Sequence, residues 1–287
     1  MIKVQQWVSS SRYHSAMSTA FILFLLGTFF WCTYAYVPVG VDWAESFQPA
    51  ALKLITGHSP YEVTSFFNAP WVLIPLIPFA VLPTHVGFAL WFVTSFCLLA
   101  YLCHKFGANL YSLIAFLFSF PIVYNLFFGQ IDALIAIGFL LPQPIGIFLL
   151  LAKPQIGIGV VIFWTITAWR EGRLRRMIRL LLPVTLAFGI SFLLYGAWYL
   201  NVSSPIGKDW DTAFWPKSIP IGLALLAYAI QKKSAGPSIA ASPFLSPYCG
   251  CQSWAVSLLG MLPNHWVVIA GSVGTWIMLL LNGWWKP

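Results

Sequence analysis

Only seven acidic residues occur in this chain of 287, so the place of each one is informative. Asp42 and Glu45 stand three apart, a spacing that puts both carboxylates on one face of a helix. An ionised carboxylate within hydrogen-bond reach of a hydroxyl can take its proton as the oxygen attacks. Asp42 also precedes a short amphipathic stretch in the manner of an N-cap, so spacing alone leaves general base and capping residue both open. Lys153 is the sharper signal, because it lies about eight residues into an apolar run, where a lysine costs about 2.5 to 3.5 kcal/mol to insert. A cation kept there serves either a bound anion, such as a lipid phosphate met as a point charge, or a structural ion pair with Asp132. Gly129-Gln130-Ile131-Asp132 sets a flexible break, an amide and a carboxylate between apolar runs. These polar groups lie near the membrane midplane beneath Lys153 if Pro142 is at the outer surface, and at the inner surface if spans simply alternate.

Other polar positions carry less. Asp209-x-Asp211 has the look of a metal or sugar-nucleotide pair, but two acids in a short loop without a third ligand read more simply as solvated charge. Asn201-Val-Ser203 fits the N-glycosylation pattern. His14, His58, His85, His104 and His265 form no i,i+4 or H-E-x-x-H arrangement, so neither a protein metal site nor a cofactor is expected. There is no Gly-x-Ser-x-Gly elbow, Walker loop or dinucleotide fingerprint. Cys32, Cys97, Cys103, Cys249 and Cys251 show no zinc or disulfide spacing, and Cys249-Gly-Cys251 is one residue short of a redox motif; buried free thiols are expected.

The elements that must position these residues are membrane helices. The chain is 60% hydrophobic and only 8% charged, far below the roughly 25% charge of a soluble domain. An all-α polytopic bundle of about ten transmembrane helices is expected, as a single integral domain in the plasma membrane. Its crossing segments run from Met17–Val37 to Trp266–Asn282. Among them are a Pro-punctuated Trp71–Leu82, a Leu110–Phe128 broken near Pro121, an Ile145–Trp169 with Lys153-Pro154 inside it, and a Pro243–Leu262. Arg170, Arg173, Arg175, Arg176 and Arg179 mark a basic cytoplasmic loop at 170–179, as do Lys232-Lys233 and Lys286 later. Residues 1–16, with Lys3 and Arg12, then form a cytoplasmic N-terminus, while 38–70 and 201–217 are external loops. Within the first of these, Phe47, Ala50, Ala51, Leu54 and Ile55 recur at helical period. Gly57 ends that pattern, which reads as an amphipathic helix lying in the interface. The net charge of +8 is thereby explained by orientation, and nucleic acid is not an expected partner.

Taken in order, the motifs are Gly40-Val-Asp42-Trp43 after the first helix, an amphipathic helix ending Gly57-His-Ser-Pro60-Tyr61, a Pro-rich second segment, Gly129-Gln130 with an acid two residues on, and Lys153-Pro154. This ordered set resembles glycosyltransferase family 87, the polyprenyl-phosphate-mannose-dependent mannosyltransferases of the C-type membrane glycosyltransferase superfamily. The likeness covers roughly 39–169. It implies transfer of a hexose, mannose in that family, from a polyprenyl phosphate to a glycan or glycolipid hydroxyl on the outer membrane face, with inversion. It also implies that Asp42 is the base, that Lys153 neutralises the departing phosphate, and that Gln130 and Tyr61 line the substrate cavity; Glu45 and Asp132 are substrate-binding candidates from their own positions. The chain departs from the family pattern where Asn68-Ala69-Pro70 replaces Tyr-Pro-Pro and where Asp132 replaces an Asn, and it is short for the family. A transporter or lipid flippase using Lys153 and Asp132 is the alternative from another class, and a shortened inactive relative is a third.

Overall fold

Proline and glycine decide where this apolar chain stops being helical. The computed structural model describes residues 2–203 and 210–282; Asp209 and Lys286 therefore lie outside the described residues. Among these residues the fold is all-helical, without strands. The first helix runs Ile2–Tyr36, continuous through the segment expected as a separate N-terminus, and its apolar stretch Ser18–Tyr36 is of membrane-crossing length.

The structure supports the membrane-crossing character of the helices without reaching a count of ten. Three described helices are long and apolar enough to cross a membrane, Ser18–Tyr36, Thr84–Lys105 and Pro154–Tyr195. A fourth arises if Leu110–Leu117 and Phe120–Phe128, bent by 53° to one another, are taken as one span. The bend falls at Phe118-Ser119, just ahead of Pro121 in the first turn of the next helix, where proline is tolerated because its missing N–H has no helical partner. Pro70–Ala80, Ile219–Lys232 and His265–Leu281 are apolar but shorter. Pro243–Leu262 is not one helix of crossing length. It is cut into Ser242–Leu245, a 3-10 turn Cys251–Trp254 and Ala255–Leu259, because Pro247 and Gly250 interrupt it and its apolar residues Val256, Leu258 and Leu259 are buried against protein.

Ile145–Trp169 is not one segment either. The helix Gln143–Leu150 ends before Lys153, and a new helix begins at Pro154. Lys153 has φ −139° and ψ 81°, because proline's ring pushes the residue before it out of the helical region. The chain then doubles back: a Cβ on Gly157 would strike Leu150, and one on Gly146 would lie 3.3 Å from Trp164. Two short-range contacts of this kind, nested one inside the other, define a tight helical hairpin with Lys153 at its tip.

Pro154–Tyr195 is itself broken at Gly172 and Arg173, the latter with φ 52°. Trp71 packs on both Phe148 and Phe188, at ring-centroid distances of 4.9 and 5.0 Å. A straight helix would carry residue 188 roughly 40 Å past that level, at about 1.5 Å per residue, so the second arm returns alongside the first. The arginine cluster thus occupies a turn at one end, about 27 Å from Lys153 at the other.

The amphipathic element is present as a π-helical turn Trp43–Phe47 continuing into Gln48–Ile55, ended by Gly57 with φ 78°. Its Phe47, Ala50 and Ala51 are buried in the protein core, while Leu52 and Ile55 are exposed. The predicted apolar face is therefore satisfied largely by protein.

Candidate functional site

Two glycines let the first loop dock on the loop after Phe128. A Cβ on Gly40 would lie 2.4 Å from the Phe128 carbonyl carbon, and one on Gly129 would lie 2.7 Å from Trp43 Cβ. Gly129 also has φ 75°, the left-handed conformation that commonly ends a helix and that glycine adopts without steric cost. On either side of this contact stand Asp42 and Gln130. Trp43 stacks on Trp91, centroids 6.4 Å apart, and Trp91 Nε1 donates to the Gln130 carbonyl at 3.2 Å, which fixes the backbone that carries the amide.

A continuous polar chain follows. Gln130 Nε2 donates to Asp42 Oδ2 at 2.6 Å, and Lys153 Nζ donates to Gln130 Oε1 at 2.8 Å. Lys153 also donates to Asp132 Oδ1 in a buried ion pair. Ser253 Oγ donates to Asp132 Oδ2 at 2.8 Å. The amide of Gln130 has one workable orientation here, its NH2 toward the carboxylate and its oxygen toward the ammonium. Gln130, Asp132 and Lys153 are buried, and Asp42 is only partly so. Asp42 is thus the member of the network open to the outside. Its burial pushes its carboxyl up to about 6, and the Gln130 hydrogen bond and the Lys153 charge pull the other way.

Four of the six residues singled out from the sequence are therefore brought together: Asp42, Gln130, Asp132 and Lys153. Glu45 is exposed one turn on from Asp42, near enough to push the Asp42 carboxyl up by charge repulsion but joined to the network by no described hydrogen bond. Tyr61 is elsewhere. Its hydroxyl donates to the Asn68 carbonyl at 2.9 Å, and its ring stacks on Trp198 at 5.3 Å and meets Tyr195 edge-on.

One site residue escaped the sequence reading, Ser253, a polar side chain beside an apolar run, which is the signal that marks it. Ser253 is held in place from outside. Asp211 accepts the backbone N–H groups of Ala213 and Cys249 at 2.9 and 3.0 Å, and Trp254 Nε1 donates to Thr212 Oγ1 at 3.0 Å. Asp211 is thus a bracket between two loops, rather than free loop charge. Cys103, Cys249 and Cys251 are buried free thiols, whereas Cys32 and Cys97 are free and exposed. Among the described residues no group of three or more His, Cys, Asp or Glu side chains is placed to hold a metal ion.

Fold and site together define an all-helical protein with helices of membrane-crossing length and an acid–amide–lysine–acid relay at one end of its hairpin. Comparison with protein-family models, with curated proteins and with solved structures finds no match for this chain.

Proposed function

We propose that the protein is a membrane glycosyltransferase that moves a hexose, mannose by the family resemblance, from a polyprenyl phosphate to an acceptor hydroxyl on the outer membrane face. The observation that carries the reading is Asp42: a partly exposed carboxylate that accepts from Gln130 through one oxygen, has no described hydrogen-bond partner on the other, and stands one amide away from the buried Lys153; burial also moves its ionisation up to about 6. A base poised near the working pH is what proton abstraction from an alcohol needs. Arginines gather at the far end of the 154–171 arm, and a cytoplasmic position for them under the positive-inside rule supports a relay on the outer side of the membrane.

In this reading the acceptor oxygen attacks the anomeric carbon and its proton passes to Asp42. The bond from that carbon to the phosphate oxygen breaks with its electron pair, so polyprenyl phosphate leaves and the configuration inverts. Lys153 has three N–H donors, of which Gln130 and Asp132 take two. The third, with the field of the ammonium, would meet the charge that builds on the departing phosphate. Glu45, exposed one turn from Asp42, is the nearest candidate to bind the acceptor. Tyr61, its hydroxyl committed to Asn68, supports the loop instead.

One feature favours a second reading. The relay has a single lysine for two carboxylates, and the Lys153–Asp132 pair is closed and buried. Ionisable chains of this kind in membrane bundles also carry protons in transporters and flippases.

The test is purified protein in lipid, supplied with radiolabelled polyprenyl-phosphate mannose and a panel of glycan and glycolipid acceptors, for wild type, Asp42→Asn and Lys153→Ala. Label transfer that disappears in a folded Asp42→Asn supports the transferase. Transfer surviving in Asp42→Asn removes the base. Absence of transfer by wild type, combined with proton or lipid flux that Asp132→Asn stops, establishes the carrier.

A further inference from the structure

The turn between the two arms of Pro154–Tyr195 carries more positive charge than its own residues neutralise. Five arginines and a single acid, Glu171, stand within 170–179, and all five arginines are exposed. Arg176 pairs with Glu171 at 2.7 Å. Among the described residues Arg170, Arg173, Arg175 and Arg179 have no ion-pair partner. Orientation in a membrane accounts for basic residues here, but lysine serves it as well as arginine, and the turn has no lysine. What arginine adds is a planar fork that meets two oxygens of one phosphate.

The backbone and the apolar neighbours point the same way. Arg173 has φ 52° and ψ −149°, a region that glycine enters freely and a residue with a side chain only at a cost. The chain has a glycine at hand in Gly172, yet it bends on the arginine. Trp169, Leu174 and Ile178 are exposed in the same turn, at 45, 54 and 48%. Apolar side chains interleaved with unpaired arginines suit the headgroup boundary of a bilayer, where both kinds are satisfied at once. Lys105 marks the same end of the bundle. Its helix meets the relay at Trp91 and finishes where Phe106 packs on Phe139. Gly138 there touches Gly146, which lies against Trp164, under two turns before Arg170. Lys105 Nζ sits 5.4 Å from the ring of the exposed Tyr101, a basic and aromatic pairing typical of a membrane boundary.

We propose that this turn binds the headgroup of an acidic phospholipid, its phosphate held by the arginine forks and its acyl chains lying against Trp169, Leu174 and Ile178. A soluble phosphate would use the arginines and leave those three side chains in water. The inference depends on the helices crossing a bilayer and not on what the relay does.

Protein reconstituted in phosphatidylcholine with a trace of spin-labelled lipid tests it, because lipid held at the protein surface gives a motionally restricted signal. Spin-labelled phosphatidylglycerol should associate several-fold more strongly than spin-labelled phosphatidylcholine. The preference should fall to near parity when Arg173→Gln, Arg175→Gln and Arg179→Gln are combined, and persist in Lys232→Gln with Lys233→Gln. Equal association of the two lipids with wild type overturns the proposal. So does a preference that survives the triple substitution, or one that the lysine pair lowers as much, which would make it an effect of net charge. A preference lost in millimolar phosphate but kept in chloride of equal ionic strength makes the occupant a soluble anion and overturns it too. Should the triple variant misfold or insert upside down, photoactivatable phosphatidylglycerol decides on wild type alone: crosslinks within 169–179 uphold the site, and crosslinks only elsewhere sink it.

Discussion

Gly40 touches the backbone of Phe128 so closely that an added methyl would lie 2.4 Å from the carbonyl carbon and 2.6 Å from the oxygen. Neither atom can swing aside as a side-chain end could. Gly40→Ala is therefore expected to part the first loop from the Gly129 turn, stretching the bond between Asp42 and Gln130. The cost should be about 1 to 3 kcal/mol, the range for forcing extra volume into a packed interior. Thermal unfolding in detergent measures it, and any transferase or flux activity should fall with it. An unaltered midpoint would mean the loop docks with more slack than the contact implies.

Lys153 and Asp132 form a buried pair, and such pairs are asymmetric in their energetics. Removing one partner leaves an uncompensated charge, at about 3 to 5 kcal/mol, whereas removing both charges is often close to neutral. Lys153→Met should be strongly destabilising, and Lys153→Met combined with Asp132→Asn should recover most of the loss, since the amide keeps an acceptor for Ser253. A double-mutant cycle on unfolding free energies reads the coupling directly. A double variant no more stable than Lys153→Met alone would show that the two charges do not depend on one another.

The gathering of these residues was legible in the sequence for the reason behind that prediction. A lysine and an acid in apolar runs must find each other or a polar ligand, so Lys153, Asp132 and Gln130 declared themselves, and Asp42 joined them through the resemblance. What hydropathy could not supply was the difference between apolar residues facing lipid and those facing protein. Val256, Leu258 and Leu259 lie in a run that reads as a crossing helix, yet they are buried in the fold, and Ser253 reaches Asp132 only because that run breaks. The fold-back at Lys153 was equally available in principle. Lys153-Pro154 states a helix boundary, but a continuous apolar stretch on both sides masked it.

Asp42 makes a prediction about pH. Its folded-state ionisation is raised from 3.8 to about 6, so between those values the folded protein binds more protons than the unfolded chain. Stability from this group is present below about pH 4 and is lost as pH rises through about 6. Activity that needs the ionised base runs the opposite way, rising across the same window. Asp42→Asn should flatten the stability slope between pH 4 and 7, be no less stable than wild type at pH 7, and lose transfer. Unfolding midpoints and rates measured across this range check both limbs. A wild-type stability that climbs through pH 6 while Asp42→Asn leaves the slope unchanged would show that Asp42 does not titrate as its burial demands.

Asp211 gives the last prediction, because its role as a bracket reaches the relay only through a chain of contacts. Its carboxylate holds the N–H of Cys249 from the loop side, Cys249 leads into the 3-10 turn Cys251–Trp254, and that turn presents Ser253 to Asp132. The group is exposed, so water offsets part of what is lost, and Asp211→Ala should cost only about 1 kcal/mol globally. The local effect should be larger than the global one: a segment held by few contacts opens on its own, so amide exchange over 246–254 should quicken several-fold while exchange in Thr84–Lys105 stays as in wild type. Asp211→Asn, whose remaining oxygen can still accept, should restore most of the protection. If exchange in 246–254 is the same in Asp211→Ala and wild type, the loop charge is not what seats Ser253, and the Trp254–Thr212 bond becomes the element that does.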